Sequence, residues 1–229
     1  MIDRTLASAR PDVTDMVLVH RVFRREFALA PRLVRECQPG DTARAAELTI
    51  HIEAMLRGLH HHHHVEDKLL WPKLRQRVRV DGLVIDRMTE QHHRIAAAIT
   101  DIAGPLAAWR IGAGLARRAE LAYRLDELAI VLTEHLDDEE EFILPLAAEF
   151  LTVAEWAELG RSGMAGQPLS RVLMATGRIL EDASPSEQAT FLGRLPLLVR
   201  LAWYAAGARR YRRATARLRQ GPAQGAGAR

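Results

Sequence analysis

The sequence predicts an all-α protein, and three observations carry that prediction. Alanine, leucine, arginine and glutamate dominate while glycine and proline are scattered, a composition that favours helix throughout. Four segments repeat their apolar residues in steps of three and four, as amphipathic helices do. The four fall into two similar pairs whose apolar stripes are interrupted in the same way. With 48% hydrophobic and 27% charged residues, the 229-residue chain reads as globular rather than disordered.

In the first segment Val13, Met16, His20, Phe23, Phe27, Ala30 and Val34 share one face, and Pro31 is expected to bend the helix or split off its last turns. The second opens at an Asp41 N-cap and runs through Leu48, Ile52, Met55, Leu59, His62, Glu66 and Leu69. The third aligns Val84 or Ile85 with Met88, His92, Ile95, Ile99 and Ile102, and is expected to stop around Gly104-Pro105. The fourth is the most regular: Leu121, Leu125, Leu128, Leu132, His135, Glu139, Phe142 and Leu146.

Further on, Thr152 and Glu155 form a capping box that opens a short helix, and Gly160 to Pro168 reads as a loop. A helix follows from about Leu169 to Asp182, and Ser184, Pro185 and Glu187 start another. The last helix, from about Pro196 to Arg219, carries Leu197, Leu201, Tyr204 and Tyr211 along one side. The closing GPAQGAGAR is expected to be disordered. Three parts result: residues 12–150 with the four stripes, a helical extension over 151–220, and a tail over 221–229.

Each stripe is apolar except where a histidine, or a histidine followed four residues later by glutamate, breaks it. A lone histidine on an apolar face is ordinarily a core residue bonded to a neighbour. Four interrupted helices are another matter. Burying two carboxylates among imidazoles costs on the order of several kcal/mol per charge without a cation. With a cation the arrangement is favourable, because imidazole and carboxylate are its ligands.

Helical geometry sorts the five consecutive histidines His60 to His64. At about 100° per residue, Glu66 lies ~40° from His62 and both continue the line of Leu48, Ile52, Met55 and Leu59. His60 and His64 point to the opposite side, His61 faces well off the stripe, and His63 sits at its edge as the only candidate for a second ligand. In EHLDDEEEFILP, Glu139 is ~40° from His135 on the apolar side, whereas Asp138 and Glu140 lie ~60° and ~140° away. Asp137, Asp138, Glu140 and Glu141 are therefore expected to form a solvated face.

The two motifs repeat: His62-x3-Glu66-x5-Pro72 and His135-x3-Glu139-x5-Pro145 have identical spacing. Each follows a helix with one stripe histidine, His20 or His92. Two helical hairpins that each bring one histidine against one His-x3-Glu make a pseudo-twofold site for two metals, with both glutamates placed to bridge. Metals so bridged are expected about 3.5 Å apart. A purification tag placed by chance inside a helix would not create such a repeat.

The His20 helix, HHVEDKLLWP, EQHHRI and EHLDDEEEFILP together resemble the hemerythrin-like, or HHE cation-binding, family over about residues 12–150. The resemblance implies an up-down-up-down four-helix bundle with additional C-terminal helices in this chain. It implies a non-haem centre of two iron ions, oxo- or hydroxo-bridged, that binds O2 or related small oxidants. Carried over position by position, the ligands are His20, His62, Glu66, His92, His135 and Glu139, with the two glutamates bridging. Oxygen-carrying members have a further histidine one turn before the third-helix ligand, where this chain has Met88. His63 can replace it, or water or a weaker ligand fills the gap and leaves an exchangeable position for azide, peroxide or nitric oxide. Simple reversible O2 carriage is not expected from either arrangement. His93, one step past the stripe, is expected to support the site from outside the ligands or to face solvent, and His51, ~16 Å along the helix from His62, to make a separate polar contact.

Two functional readings compete. In the first, a di-iron protein senses or scavenges O2, peroxide or nitric oxide, or slowly disproportionates peroxide, in a dry pocket lined by Met88, Met55, Ile95 and Leu132. In the second, a non-catalytic protein stores or buffers iron or zinc, with the outward histidines as a loading patch. Ligand types alone do not separate iron from manganese or zinc.

Charge is unevenly placed. Residues 151–229 hold 12 Arg against 5 Asp and Glu, a net +7, which leaves −4 in residues 1–150 of the +3 chain. The cluster GARRYRRATARLR serves as a brace over the bundle or as a contact for an acidic partner or membrane surface; no nucleic-acid fold signature accompanies it. The single cysteine, Cys37, excludes an internal disulfide and suits a reducing compartment. No apolar run of signal-peptide length opens the sequence and no stretch reaches the ~20 apolar residues of a membrane span, so the cytoplasm is the expected location.

Overall fold

The computed structural model describes residues 10–78 and 82–220, and the expected tail over 221–229 lies outside them. Among the described residues the chain is helical, with no strand. Four long helices dominate: α1 (Thr14–Glu36), α2 (Thr42–Leu69), then, after the short α3 (Trp71–Arg77), α4 (Gly82–Gly112) and α5 (Leu115–Asp138). Helix α1 packs on α2 and α5, and α4 packs on the same two, so the four close a ring.

The Asp41 cap forms as its sequence requires, its carboxylate accepting the Arg44 amide at 2.9 Å. Pro31 does not split off the last turns of α1: the helix continues through it, and Leu33 and Val34 are buried beyond it. Nor does α4 stop at Gly104-Pro105. Ile102, Leu106 and Trp109 extend its buried stripe to Gly112, and the Asp101 carbonyl that Pro105 leaves without a donor belongs to an exposed residue, open to water. Burial of a tryptophan and a leucine outweighs the proline there. The turn comes at Ala113, whose φ is 46° and whose carbonyl accepts the Gly40 amide.

After Asp138 the helix widens into a π turn, Glu139–Ile143, where the Leu144 amide reaches back five residues to the Glu139 carbonyl, before α6 (Leu144–Phe150) resumes. This extra residue per turn advances the register. Ile143, Leu144 and Ala147 are buried, while Phe142, expected on the stripe, is 39% exposed.

The core has two apolar clusters. One holds Phe23, Phe27, Leu59, Ile95, Leu132 and their neighbours; the other holds Met16, Val65, Leu70, Met88 and Ile143. Helices α1 and α4 run from the second cluster to the first, and α2 and α5 run from the first to the second. Between the clusters, on all four helices, lie the histidines and glutamates of the stripes.

The extension consists of α7 (Val153–Met164), α8 (Leu169–Glu181), α9 (Pro185–Arg194), α10 (Leu197–Ala202) and α11 (Ala208–Gln220), the last two joined by a second π turn, Trp203–Gly207. Both capping boxes form, at Thr152 with Glu155 and at Ser184 with Glu187. Helix α7 runs through Gly160, so the loop expected from Gly160 to Pro168 shrinks to residues 165–168. Of the four residues expected along one side of the last helix, Leu197, Leu201 and Tyr204 are exposed, whereas Tyr211 faces inward with Trp203 and Gly207. The π turn rotates the two halves against each other, which a regular helical wheel misses.

The extension grips α1. Arg21 pairs with Glu187 at 3.0 Å, Asp12 with Arg194 at 2.6 Å, and Asp15 accepts the Trp156 indole N–H at 2.9 Å. Arg217 reaches Glu47 on α2 at 2.8 Å, and Arg219 pairs with Glu181 and lies 3.5 Å from Glu26. Part of the basic cluster is thus a brace.

Candidate metal centre

Helical spacing carries the site side chains into the layer between the two apolar clusters. His20 enters from α1, His62, His63 and Glu66 from α2, His92 from α4, and His135 with the π-turn residue Glu139 from the fourth helix. All are buried apart from His62, whose side chain is 13% exposed. The ligand-type atoms of His20, His62, Glu66 and Glu139 lie within 4.8 Å of one another, and so do those of His63, Glu66, His92 and His135. The structure brings together all six residues singled out on the stripes, and His63 with them.

The two glutamates each face both groups. Glu66 Oε1 is 3.1 Å from His62 Nε2, and its Oε2 is 3.6 Å from His92 Nε2. Glu139 Oε2 is 3.4 Å from His20 Nε2 and 3.6 Å from His135 Nε2. The histidine run divides as its helical positions dictate: His60 and His64 are exposed, and His61 donates to the Ser162 carbonyl of α7 at 3.2 Å. His63 stacks on His92 with ring centroids 4.1 Å apart. Met88, one turn before His92, is fully buried in the second apolar cluster.

Three imidazoles are held through their other nitrogen. His20 Nδ1 bonds Glu140 at 2.9 Å, His92 Nδ1 bonds Asp67 at 2.7 Å, and His135 Nδ1 bonds the Gln91 amide oxygen at 3.1 Å. Acceptors there assign a proton to Nδ1 and leave Nε2 of each ring facing the site. These partners are anchored in turn: Glu140 by Arg24 at 2.6 Å, Asp67 by the Trp71 indole at 2.9 Å, Gln91 by Asp138 at 2.6 Å. Of the acids expected on a solvated face, Asp137 and Glu141 are exposed, and Asp137 pairs with Arg24 at 2.6 Å. Glu140 and Asp138 instead hold His20 and Gln91 in place, because they lie on the flanks of the fourth helix beside α1 and α4. The periodicity of one helix does not show which of its flanks a neighbour covers. His51, by contrast, makes the separate contact expected of it, 3.1 Å from the buried Glu26, and His93 is exposed.

The electrostatics suit a cation. Burial and the neighbouring imidazoles push His62 and His63 well below the usual histidine range, and burial takes His135 to about 4, so all three are neutral donors near pH 7. His20 differs: burial alone would lower it, but Glu139 and Glu140 outweigh that and hold it above its usual value. Burial and the charge of Glu139 push Glu66 well up, while His20 outweighs burial to hold Glu139 at about 2. A decisive observation is the set of buried atoms with no hydrogen-bond partner: both carboxylate oxygens of Glu66 and of Glu139, and Nε2 of His20, His62 and His63. Seven orphaned polar atoms at one place are what bound cations satisfy and what a protein core does not tolerate otherwise.

Fold and layer together define a class: a helical protein whose core is divided by a buried shell of imidazoles and carboxylates built to hold cations. The chain matches the Hemerythrin HHE cation binding domain over residues 12–147, and it belongs to that family. No curated protein and no solved structure matches it. Among the described residues no helix is long and apolar enough to cross a membrane.

Proposed function

We propose that the chain is a non-haem di-iron protein that binds or reacts with O2, peroxide or nitric oxide, as a sensor, a scavenger or a slow peroxide-disproportionating catalyst. The domain is an up-down-up-down four-helix bundle over residues 12–150, with residues 151–220 as an extension; the alternating direction of α1, α2, α4 and α5 between the two apolar clusters supports this. In this reading one cation is held by His20 and His62 and the other by His63, His92 and His135, with Glu66 and Glu139 between them. The observation that carries it is that each glutamate approaches one histidine of each group.

Two iron ions held there would supply a redox couple for a small oxidant. The chain's own residues do the rest. His63 stands in the group that Met88 leaves one histidine short. Unequal histidine numbers, two against three, favour the position between His20 and His62 as the more open one. Apolar packing by Met55, Ile95, Leu132 and Met88 keeps bulk water out, which limits the site to small ligands. Glu140 and Asp67 hold the His20 and His92 protons at Nδ1 and orient the rings. The lone, buried Cys37 suits a reducing compartment, and a cytoplasmic location remains part of this reading.

Metal analysis with an optical spectrum of the purified protein tests the proposal. Two irons per chain with near-ultraviolet charge-transfer bands that change on adding peroxide or nitric oxide support it. A colourless zinc protein, inert to both, favours storage or buffering instead.

A further inference from the structure

The last helix presents a face that neither the bundle nor the rest of the extension covers. Leu197, Leu198, Leu201 and Tyr204 are 58%, 79%, 55% and 66% exposed, four protruding apolar side chains within eight residues. Scattered exposed leucines are ordinary, but a contiguous set marks a contact surface. Beyond the π turn the helix continues with Arg209 and, one α turn later, Arg213. Arg209, Arg210, Arg212 and Arg213 are all exposed, and none makes an ion pair among the described residues. Arg217 and Arg219, a turn further on, are taken up by Glu47, Glu181 and Glu26. The basic cluster therefore divides into two arginines that brace the bundle and four that do not.

We propose that the face from Leu197 to Arg213 docks the protein on an anionic lipid surface. Leucine and tyrosine side chains enter the headgroup–acyl boundary, as on helices that lie in the membrane plane, while the arginines meet lipid phosphates. The helix lies on the surface and does not cross it, since it is neither long nor apolar enough. Charge and shape select this occupant. A second copy brings the same four unpaired positive charges, so self-pairing is electrostatically poor. A helical protein partner is ordinarily received in a groove; Tyr204 and Arg212 border one against Glu181 and Gln188, whereas Leu197, Leu198 and Leu201 lie outside it and are exposed. The inference is independent of which metal the buried layer holds.

Sedimentation of the full chain with vesicles tests it. Binding is expected to vesicles containing phosphatidylglycerol, at least tenfold weaker binding to phosphatidylcholine alone, and weakening with added salt. Leu198→Glu with Leu201→Glu should abolish binding. Arg209→Glu with Arg213→Glu should reduce it well over tenfold, since each basic residue near an anionic surface is worth about fivefold. Ile130→Glu, at an isolated exposed position on α5, should leave it unchanged. Circular dichroism and melting of each variant check the fold. Absence of binding to the anionic vesicles, equal binding to neutral ones, or full binding by the leucine variant overturns the proposal. So does a dimer in ultracentrifugation that Leu198→Glu dissociates, or capture of an acidic amphipathic helical peptide in place of vesicles.

Discussion

Glu66 and His92 meet across two helices: the carboxylate Oε2 on α2 is 3.6 Å from the imidazole Nε2 on α4, while Oε1 of the same group is 3.1 Å from His62. One carboxylate thus joins both groups of ligands. Glu66→Ala is expected to lose metal from both positions and to lower the stability of the loaded protein by on the order of 3 kcal/mol, because metal binding and folding are coupled. Elemental analysis and melting with and without chelator read this out. Full metal content together with a chelator-sensitive melt in the variant would refute the sharing.

Members of the histidine run should behave unequally. His62→Ala and His63→Ala should each lose metal, and His60→Ala and His64→Ala should leave stoichiometry and spectrum unchanged. His61→Ala should leave the metal in place and cost about 1 kcal/mol, the value of its bond to the Ser162 carbonyl. Equal effects at all five positions would mean that the run acts as a diffuse chelator.

Met88 is fully buried against apolar neighbours, and His63 stands with His92 and His135. Met88→His alone should therefore add no metal and should lower the melting temperature, since it places a polar ring in an apolar cluster at a cost of roughly 1–3 kcal/mol. In a His63→Ala background the same change should restore metal content. If the double variant stays as poor in metal as His63→Ala, the two positions do not serve the same cation.

The histidine supports admit a test that does not need turnover. Asp67→Asn keeps a hydrogen-bond acceptor for His92 but removes its charge, and should weaken metal retention by about tenfold while leaving the apo fold intact. Competition with a coloured chelator measures it. An unchanged retention would reduce Asp67 to a tether for Trp71.

Away from the metal layer, burial would raise Glu26, but His51 and Arg25 outweigh it and hold this carboxyl at about 2. Its value is below that of an unfolded chain, so its charge stabilises the fold fully above a pH of about 4.3 and ceases to as pH falls through about 2. Glu26→Gln should lower stability at pH 7 by up to roughly 3 kcal/mol, with the difference from the parent protein closing between about pH 4.5 and pH 2. Urea titrations across that range check it; a gap constant with pH would exclude Glu26 as the source.

Much of this molecule is legible in its sequence, and what is not has a common cause. Stripe residues such as Leu48, Ile95 and Leu128 report their burial through spacing alone, and Asp41, Thr152 and Ser184 mark helix starts through local chemistry. The histidines and glutamates of the layer could be found because they interrupt those stripes. Neither Pro31 nor Pro105 ends its helix, because local propensity is weaker than the packing of Val34, Leu106 and Trp109. Phe142 and Tyr211 depart from their expected faces because each lies in or beyond a π turn, where a wheel drawn at a fixed angle stops describing the chain. Glu140 departs because a neighbouring helix, not its own periodicity, brings it to His20.

That first π turn gives the fourth helix two reading frames. Upstream of Glu139 the inward positions follow Leu125, Leu128, Leu132 and His135; downstream they restart at Ile143, Leu144 and Ala147, displaced by one residue. Deleting Glu141 would remove that extra residue: the helix would run on as a regular α-helix, with Ile143, Leu144 and Ala147 falling into the frame set by Leu132, His135 and Glu139. Inserting a residue there instead would turn α6 by about 100° relative to the layer and carry the whole extension that follows it round by the same angle. At this point the fourth helix would absorb the loss of one codon and not the gain of one.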